Sequence, residues 1–219
     1  MSEFSFNSIE NFDDHIAKSI PNYDLMFQSI IRLSDYFKDD SKVIYDLGCS
    51  TGNLLRAFQR INSYKGKMVG LDMSRHLLPE NTKEYPNIKF IEQDLTKPFA
   101  FDNACIVYAM FIFQFLPKEA RLPLLKSIYA GMSEGSALFF CEKVYCDSGK
   151  FQDMFTSTYH DYKKQSFTEK EIFDKERSLR TMLKPNTRQE NLDMLEQAGF
   201  RKYEIFWSYF QFTAYLVIK

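Results

Sequence analysis

Asp46-Leu47-Gly48-Cys49-Ser50-Thr51-Gly52 lies where an apolar run, Val43-Ile44-Tyr45, gives way to a helix-like stretch beginning near Asn53. A turn of small residues between strand and helix lets a ligand come close to the backbone, and the helix start offers unpaired N–H groups. The stretch reads as a cradle for a nucleotide-type cofactor in a doubly wound α/β sheet.

A second apolar run, Lys67-Met68-Val69-Gly70-Leu71-Asp72, ends in an acid roughly 20 residues past the glycines, where a carboxylate can accept both ribose hydroxyls. Sites for NAD share this layout. Three features favour S-adenosylmethionine: Asp46 leads the turn, the glycine series is partial, and a third acid, Asp94, follows Ile88-Lys89-Phe90-Ile91 at the end of strand three, beside the adenine. A single aspartate at such a place serves as readily as a helix cap or a loop residue. Three at successive strand ends argue for a site.

Outward from the cradle, strand patterns fall near 42–47, 67–71, 88–91, 104–110 and 136–144, with helical patterns near 53–61, 74–84 and 118–132. Gly131 and Gly135 bracket the turn into strand five. Residues 22–37 carry a helical stripe (Leu25, Met26, Ser29, Ile30, Leu33, Phe37) that would cover the cofactor mouth. A last helix over 188–198 stops at Gly199, and strands near 202–207 and 209–218 close the sheet. Trp207 and its neighbours Phe206, Tyr209, Phe210 and Phe212 alternate as sheet core. Between strand five and the last helix, residues 147–187 are polar and aromatic, with two helices and a capping box joining Thr168 to Glu171. Arg177, near the end of the second, is placed in sequence to reach the cofactor from above; alone, it reads more readily as a surface arginine in a helix pair.

The chain of 219 residues is 45% hydrophobic and 26% charged, enough to bury the core of one domain spanning 1–219. A net charge of −1 leaves no electrostatic footprint for nucleic acid. No apolar run approaches the roughly 18 residues that span a bilayer, so the expectation is a cytoplasmic protein without membrane contact. Cys49, Cys105, Cys141 and Cys146 lack metal-ligand spacing and read as free thiols, with no metal expected. His15 and His76 read as surface or cap residues, and His160 reads as packing between the inserted helices, with a part in shaping a substrate pocket as the alternative.

Tyr-Asp-Leu-Gly-Cys-Ser (45–50), Gln-Phe-Leu (114–116), Glu-Lys (142–143), His-Asp-Tyr-Lys (160–163), Glu-Ile (171–172), Glu-Arg-Ser-Leu (176–179) and Ala-Gly-Phe (198–200) follow one another in an order and spacing that resembles the carboxy-S-adenosyl-L-methionine synthases. The resemblance runs from about Phe12 to the C-terminus and takes in Ser19-Ile20-Pro21-Asn22-Tyr23. It implies a Rossmann-like class I methyltransferase fold with a seven-stranded sheet and an antiparallel last strand, an N-terminal helical cap at about 12–38 and a helical insertion at about 147–187. It implies an enzyme that takes S-adenosyl-L-methionine and prephenate, makes carboxy-S-adenosyl-L-methionine and releases phenylpyruvate. The family mechanism has prephenate lose carbon dioxide, the resulting carbanion take a proton from the sulfonium methyl, and the ylide capture the carbon dioxide. A partner enzyme then carboxymethylates a tRNA wobble uridine, with no tRNA contact by the synthase itself. Relatives are homodimers.

Carried over residue by residue, the resemblance assigns Tyr23 to a ligand contact from the N-terminal helix and Gly48, Cys49 and Ser50 to the amino-acid portion of the ligand. Asp72 and Met73 take ribose and adenine, Asp94 and Leu95 flank the base, and Arg177 takes the added carboxylate and the catalytic role. A planar guanidinium suits a carboxylate better than a lysine does. Three departures stand out. Met110 and Met73 replace family asparagines, removing two amides that could hydrogen-bond the ligand, and a helical segment after Thr181 is one residue shorter. A conventional small-molecule methyltransferase and a cofactor-binding regulatory protein are the alternatives these departures keep open.

Overall fold

In the computed structural model, which describes residues 12–79 and 83–219, side chains of the central strands enter opposite layers in turn. Along β1 (Val43–Leu47) and β4 (Ala104–Met110), Tyr45, Leu47, Val107 and Ala109 join one apolar cluster, while Ile44, Ile106 and Tyr108 join the other. That period of two, on strands buried on both faces, is what a sheet covered by helices on each side requires. The other strands are β2 (Lys67–Asp72), β3 (Ile88–Glu92), β5 (Met132–Lys143), β6 (Lys202–Tyr209) and β7 (Phe212–Ile218). Their order is β3-β2-β1-β4-β5-β7-β6, parallel through β5, with β7 antiparallel to both its neighbours. This is the class I methyltransferase arrangement, as the sequence implied.

The helices are α1 (Phe12–Ser19), α2 (Tyr23–Ser34), α3 (Asn53–Asn62), α4 (Lys118–Gly131), α5 (Gly149–Lys163), α6 (Glu169–Leu179) and α7 (Arg188–Ala198). α6 and α7 each begin with a complete capping box, Thr168 with Glu171 and Thr187 with Glu190, so two orphan amide donors are satisfied at each start. Gly199 ends α7 at φ 120°, a left-handed stop. None of the helices among the described residues is long and apolar enough to cross a membrane.

Four expectations change. The helix expected over 74–84 is absent from 74–79, which instead make turns: Ser74 N–H donates to Asp72 Oδ1 and Leu77 N–H to the Ser74 carbonyl, and Pro79 lacks the amide a continuing helix needs. Residues 80–82 lie outside the described residues. β5 begins at Met132 rather than near 136, and Gly135, at φ 73°, sits where its register against β4 shifts. On α2 the buried face is Met26, Ile30, Ile31 and Ser34, whereas Leu25 is 60% exposed. The Trp207 group is not core, because β6 is an edge strand; Phe206, Trp207 and Phe210 are half-buried, Tyr209 is exposed, and only Phe212 on β7 is buried.

Candidate active site

At the carboxyl ends of β1, β2 and β4 the chain opens a cavity of about 510 Å³. Ligands bind in this position in open α/β sheets because the strand order reverses there and helix starts point inward. After β1, Gly48 takes φ 70°, and the Gly48 and Cys49 amides both donate to the Leu71 carbonyl (2.7 and 3.0 Å), tying the loop to β2. That left-handed φ favours glycine, and a Cβ there would also stand 2.8 Å from Ile112 Cδ1, which would have to move. Ser50 also lies in the left-handed region (φ 49°), where a side chain is strained. Its amide donates to Asp72 Oδ2 (2.9 Å), and its Oγ is buried with no hydrogen-bond partner among the described residues.

Asp46, 3% exposed at the end of β1, has its carboxyl pushed up to about 8, first by burial and then by the nearby Asp72 charge. Burial first, then the Asp46 and Asp72 charges, push the buried Cys49 thiol up as well. All four cysteines are free thiols.

Of the residues assigned from sequence, the structure gathers Tyr23, Gly48, Cys49, Ser50, Asp72, Met73 and Met110 around the cavity. Three are placed elsewhere. Asp94 turns its Oδ1 back onto the Thr96 amide and hydroxyl (2.9 and 2.7 Å), a local loop cap. Leu95 is buried in the core cluster beneath the sheet. Arg177 is exposed and does not line the cavity: Lys175, Glu176 and Leu179 occupy the inward face of α6, and a residue one or two positions along a helix points away from that face.

The far wall is made by side chains to which sequence reasoning gave no role. Lys143 ends β5, Lys163 ends α5, and Lys175 and Glu176 come from α6. Tyr159 of α5 donates its hydroxyl to the Ser19 carbonyl (2.7 Å), and its ring stands 5.1 Å from Lys143 Nζ and 5.5 Å from Lys163 Nζ. Glu176 is held by His160 Nε2 at 2.6 Å. The available signal was Phe139-Phe140-Cys141-Glu142-Lys143, two charges closing a run that is otherwise buried apolar strand. Beneath this wall Glu142 accepts the Phe113 and Gln114 amides (2.9 and 2.7 Å); burial pushes its carboxyl up to about 8 against those donors and Arg121, which pull it down.

His15 of α1 also faces the cavity, in contact with Lys175 and stacked at a tilt on Phe167. Burial first, then Lys175, Lys163 and Lys18, lower its pKa to about 4, against the raising effect of Asp14. Protonating it therefore opposes folding. Its contribution to stability is complete above the ordinary value of 6.5 and is lost as pH falls from there toward 4. A His15→Gln protein should show a shallower fall in urea midpoint between pH 7 and 5 than the wild type. Equal slopes would remove His15 from the acid sensitivity.

Comparison with known proteins agrees with this geometry. The family described as "Methyltransferase domain" matches residues 44–135. The carboxy-S-adenosyl-L-methionine synthase of Staphylococcus epidermidis is 30% identical over 218 residues, covering 98% of this chain and 95% of that protein. The protein of the same name from Methylococcus capsulatus is 31% identical over 216 residues, covering 95% and 89%. Among solved structures, the pyocyanin biosynthetic protein PhzM superposes with a TM-score of 0.66 at 17% identity, over 97% of this chain and 60% of that one. Human N-acetylserotonin methyltransferase, in complex with S-adenosylmethionine, gives 0.56 at 16% identity, over 89% and 55%. At these identities the structures speak to the fold alone. With sequence likeness running through nearly the whole of both proteins, on a methyltransferase sheet whose glycine loop and second-strand acid meet at one cavity, this chain belongs to the carboxy-S-adenosyl-L-methionine synthase family.

Proposed function

We propose that this protein converts S-adenosyl-L-methionine and prephenate into carboxy-S-adenosyl-L-methionine and phenylpyruvate, without a metal, and that the product supplies a separate enzyme that carboxymethylates a tRNA wobble uridine. The observation that carries the reading is the single cavity that joins an acidic cofactor cradle to a basic far wall. The cradle fits the cofactor. The buried, partnerless Ser50 Oγ awaits a polar group, Gly48 lets a ligand approach its backbone, and the half-buried Asp72 keeps lone pairs for two ribose hydroxyls. Tyr23, Cys49, Met73 and Met110 complete its walls, the two methionines by apolar contact and backbone rather than by amides.

In the overall balance, one ring carboxyl of prephenate leaves as carbon dioxide and becomes bonded to the former methyl carbon. The proton lost from that methyl leaves with the ring hydroxyl as water. A sulfonium beside the reacting carbon supplies the electron sink, so no protein base is required, and the protein's part is to hold charges and exclude water. Arg177 takes the new carboxylate. Because its side chain points outward from its own chain, the pairing is made across a homodimer, the partner's copy reaching over the cavity. The enzyme works in the cytoplasm and meets neither membrane nor RNA, in keeping with its charge of −1.

Purified protein given both substrates should yield an S-adenosylmethionine derivative heavier by one carbon dioxide, detected by mass spectrometry together with phenylpyruvate. An Arg177→Ala protein should lose about a hundredfold or more of that activity, as removal of one charge-stabilising donor does, with S-adenosylmethionine affinity nearly intact. The outward position of Arg177 favours a second reading, a conventional small-molecule methyltransferase. It predicts S-adenosylhomocysteine as the bound product and full activity in Arg177→Ala.

A further inference from the structure

Charge is segregated inside the cavity. The acids Asp13, Asp46 and Asp72 gather at the glycine loop, whereas Lys143, Lys163 and Lys175, with the single acid Glu176 among them, line the far side from β5, α5 and α6. Lys143 lies two strands from β1, about 10 Å across the sheet.

The fold itself does not need these lysines. An ammonium taken out of water destabilises a protein unless a carboxylate or several acceptors meet it. Lys163 is only 5% exposed, and neither it nor Lys143 has a carboxylate within 4.0 Å among the described residues. Burial lowers the pKa of both amines, and Glu176, the acid that opposes this, is already engaged by His160. What holds them is aromatic: Tyr159 faces both ammoniums, Phe212 stands 5.8 Å from Lys143 and Phe167 5.6 Å from Lys163. With its hydroxyl fixed on Ser19, the Tyr159 ring sets the two Nζ atoms on one wall facing open space.

We infer that Lys143 and Lys163, both packed against the Tyr159 ring, form the subsite for the carboxylates of a dianionic co-substrate. The inference rests on the reaction proposed above and goes beyond it by naming the residues that select the second substrate. The cofactor is a poor occupant, since its sulfonium and ammonium give it a net positive charge that this wall repels. A molecule with two carboxylates supplies the missing counter-charge and places its ring beside Phe212 and Tyr159.

The test titrates prephenate into full-length protein saturated with S-adenosylmethionine, for wild type, Lys143→Met and Lys163→Met, with turnover followed separately. Methionine keeps the length of the side chain and removes the charge. Each variant should bind prephenate about tenfold to a hundredfold more weakly, with S-adenosylmethionine affinity within about twofold of wild type. Melting temperature should hold or rise, because an uncompensated ammonium has been removed. Prephenate binding that is unaffected, or weakening confined to S-adenosylmethionine, overturns the inference. A fall in melting temperature with loss of both ligands also overturns it, by making the lysines structural. Wild-type protein that binds prephenate in a lysine-dependent way yet releases no phenylpyruvate sinks the proposed reaction and leaves the subsite standing. Turnover that survives both substitutions unchanged does the reverse.

Discussion

An Asp72→Ala protein is expected to bind S-adenosylmethionine about a hundredfold or more weakly than the wild type. In the proposed binding mode two hydrogen bonds from ribose hydroxyls to a carboxylate are lost, each worth about 1.5–3 kcal/mol when the acceptor is charged. The loop suffers as well, because Asp72 Oδ2 takes the Ser50 amide and Oδ1 the Ser74 amide, so the side chain shapes the cradle it serves. Calorimetric titration with S-adenosylmethionine measures the effect. Asp94→Ala is the comparison: its carboxylate is spent on Thr96 outside the cavity, and the affinity should stay within about twofold. Equal losses in the two variants would return Asp94 to the site and discredit the placement described here.

Arg121→Met should be the most damaging single change to the scaffold. Arg121 is 2% exposed, yet no carboxylate among the described residues pairs with it; its guanidinium donates to the carbonyls of Leu116 (3.1 and 2.9 Å), Lys184 (2.6 Å) and Gln114 (3.5 Å) and to Asn186 Oδ1 (2.9 Å). These acceptors belong to two separate segments, 114–116 and 184–186, both of which contribute to the cavity wall. Removing the donor strands buried carbonyls at about 1–3 kcal/mol each, so a loss of about 3 kcal/mol or more follows, seen as a drop in melting temperature of about 10 °C. Any activity that remains below the new midpoint should show a raised KM, since the wall is no longer pinned. A variant melting within about 2 °C of wild type would show that water or neighbouring side chains replace the guanidinium.

Both residues bear on how far the chain could be read before its structure. Asp72 was legible because a period-two apolar run followed by an acid is local, and local patterns survive folding. Arg121 was not. It occupies the inward stripe of α4 with Leu124, Leu125 and Ile128, which marks it as buried, but nothing nearby in sequence names carbonyls 63 and 65 positions away as its partners. Lys143 and Lys163 behaved alike: the Glu142-Lys143 and His160-to-Lys163 motifs drew notice as family marks, without any hint that the two ammoniums meet at one tyrosine ring. The misplacement of the Trp207 group has a similar origin. Alternation announces a strand, not whether a neighbour will cover it, and β6 ended at the sheet edge.

From residue order came the alternating strands and helices of a doubly wound sheet, the glycine loop and the acid that ends β2, whereas the reversed last strand and the family came through the resemblance of motifs spread over most of the chain. The first three depend on periodicity or on spacing within a few dozen residues, where backbone geometry leaves few choices. Only the tertiary structure settled which side chains meet. It turned Arg177 to the outside of α6, folded Asp94 into its own loop, and brought lysines from β5, α5 and α6 to a single wall. Those outcomes depend on how helices roll and dock against the sheet, a balance of burial over many distant contacts that no short stretch of sequence encodes.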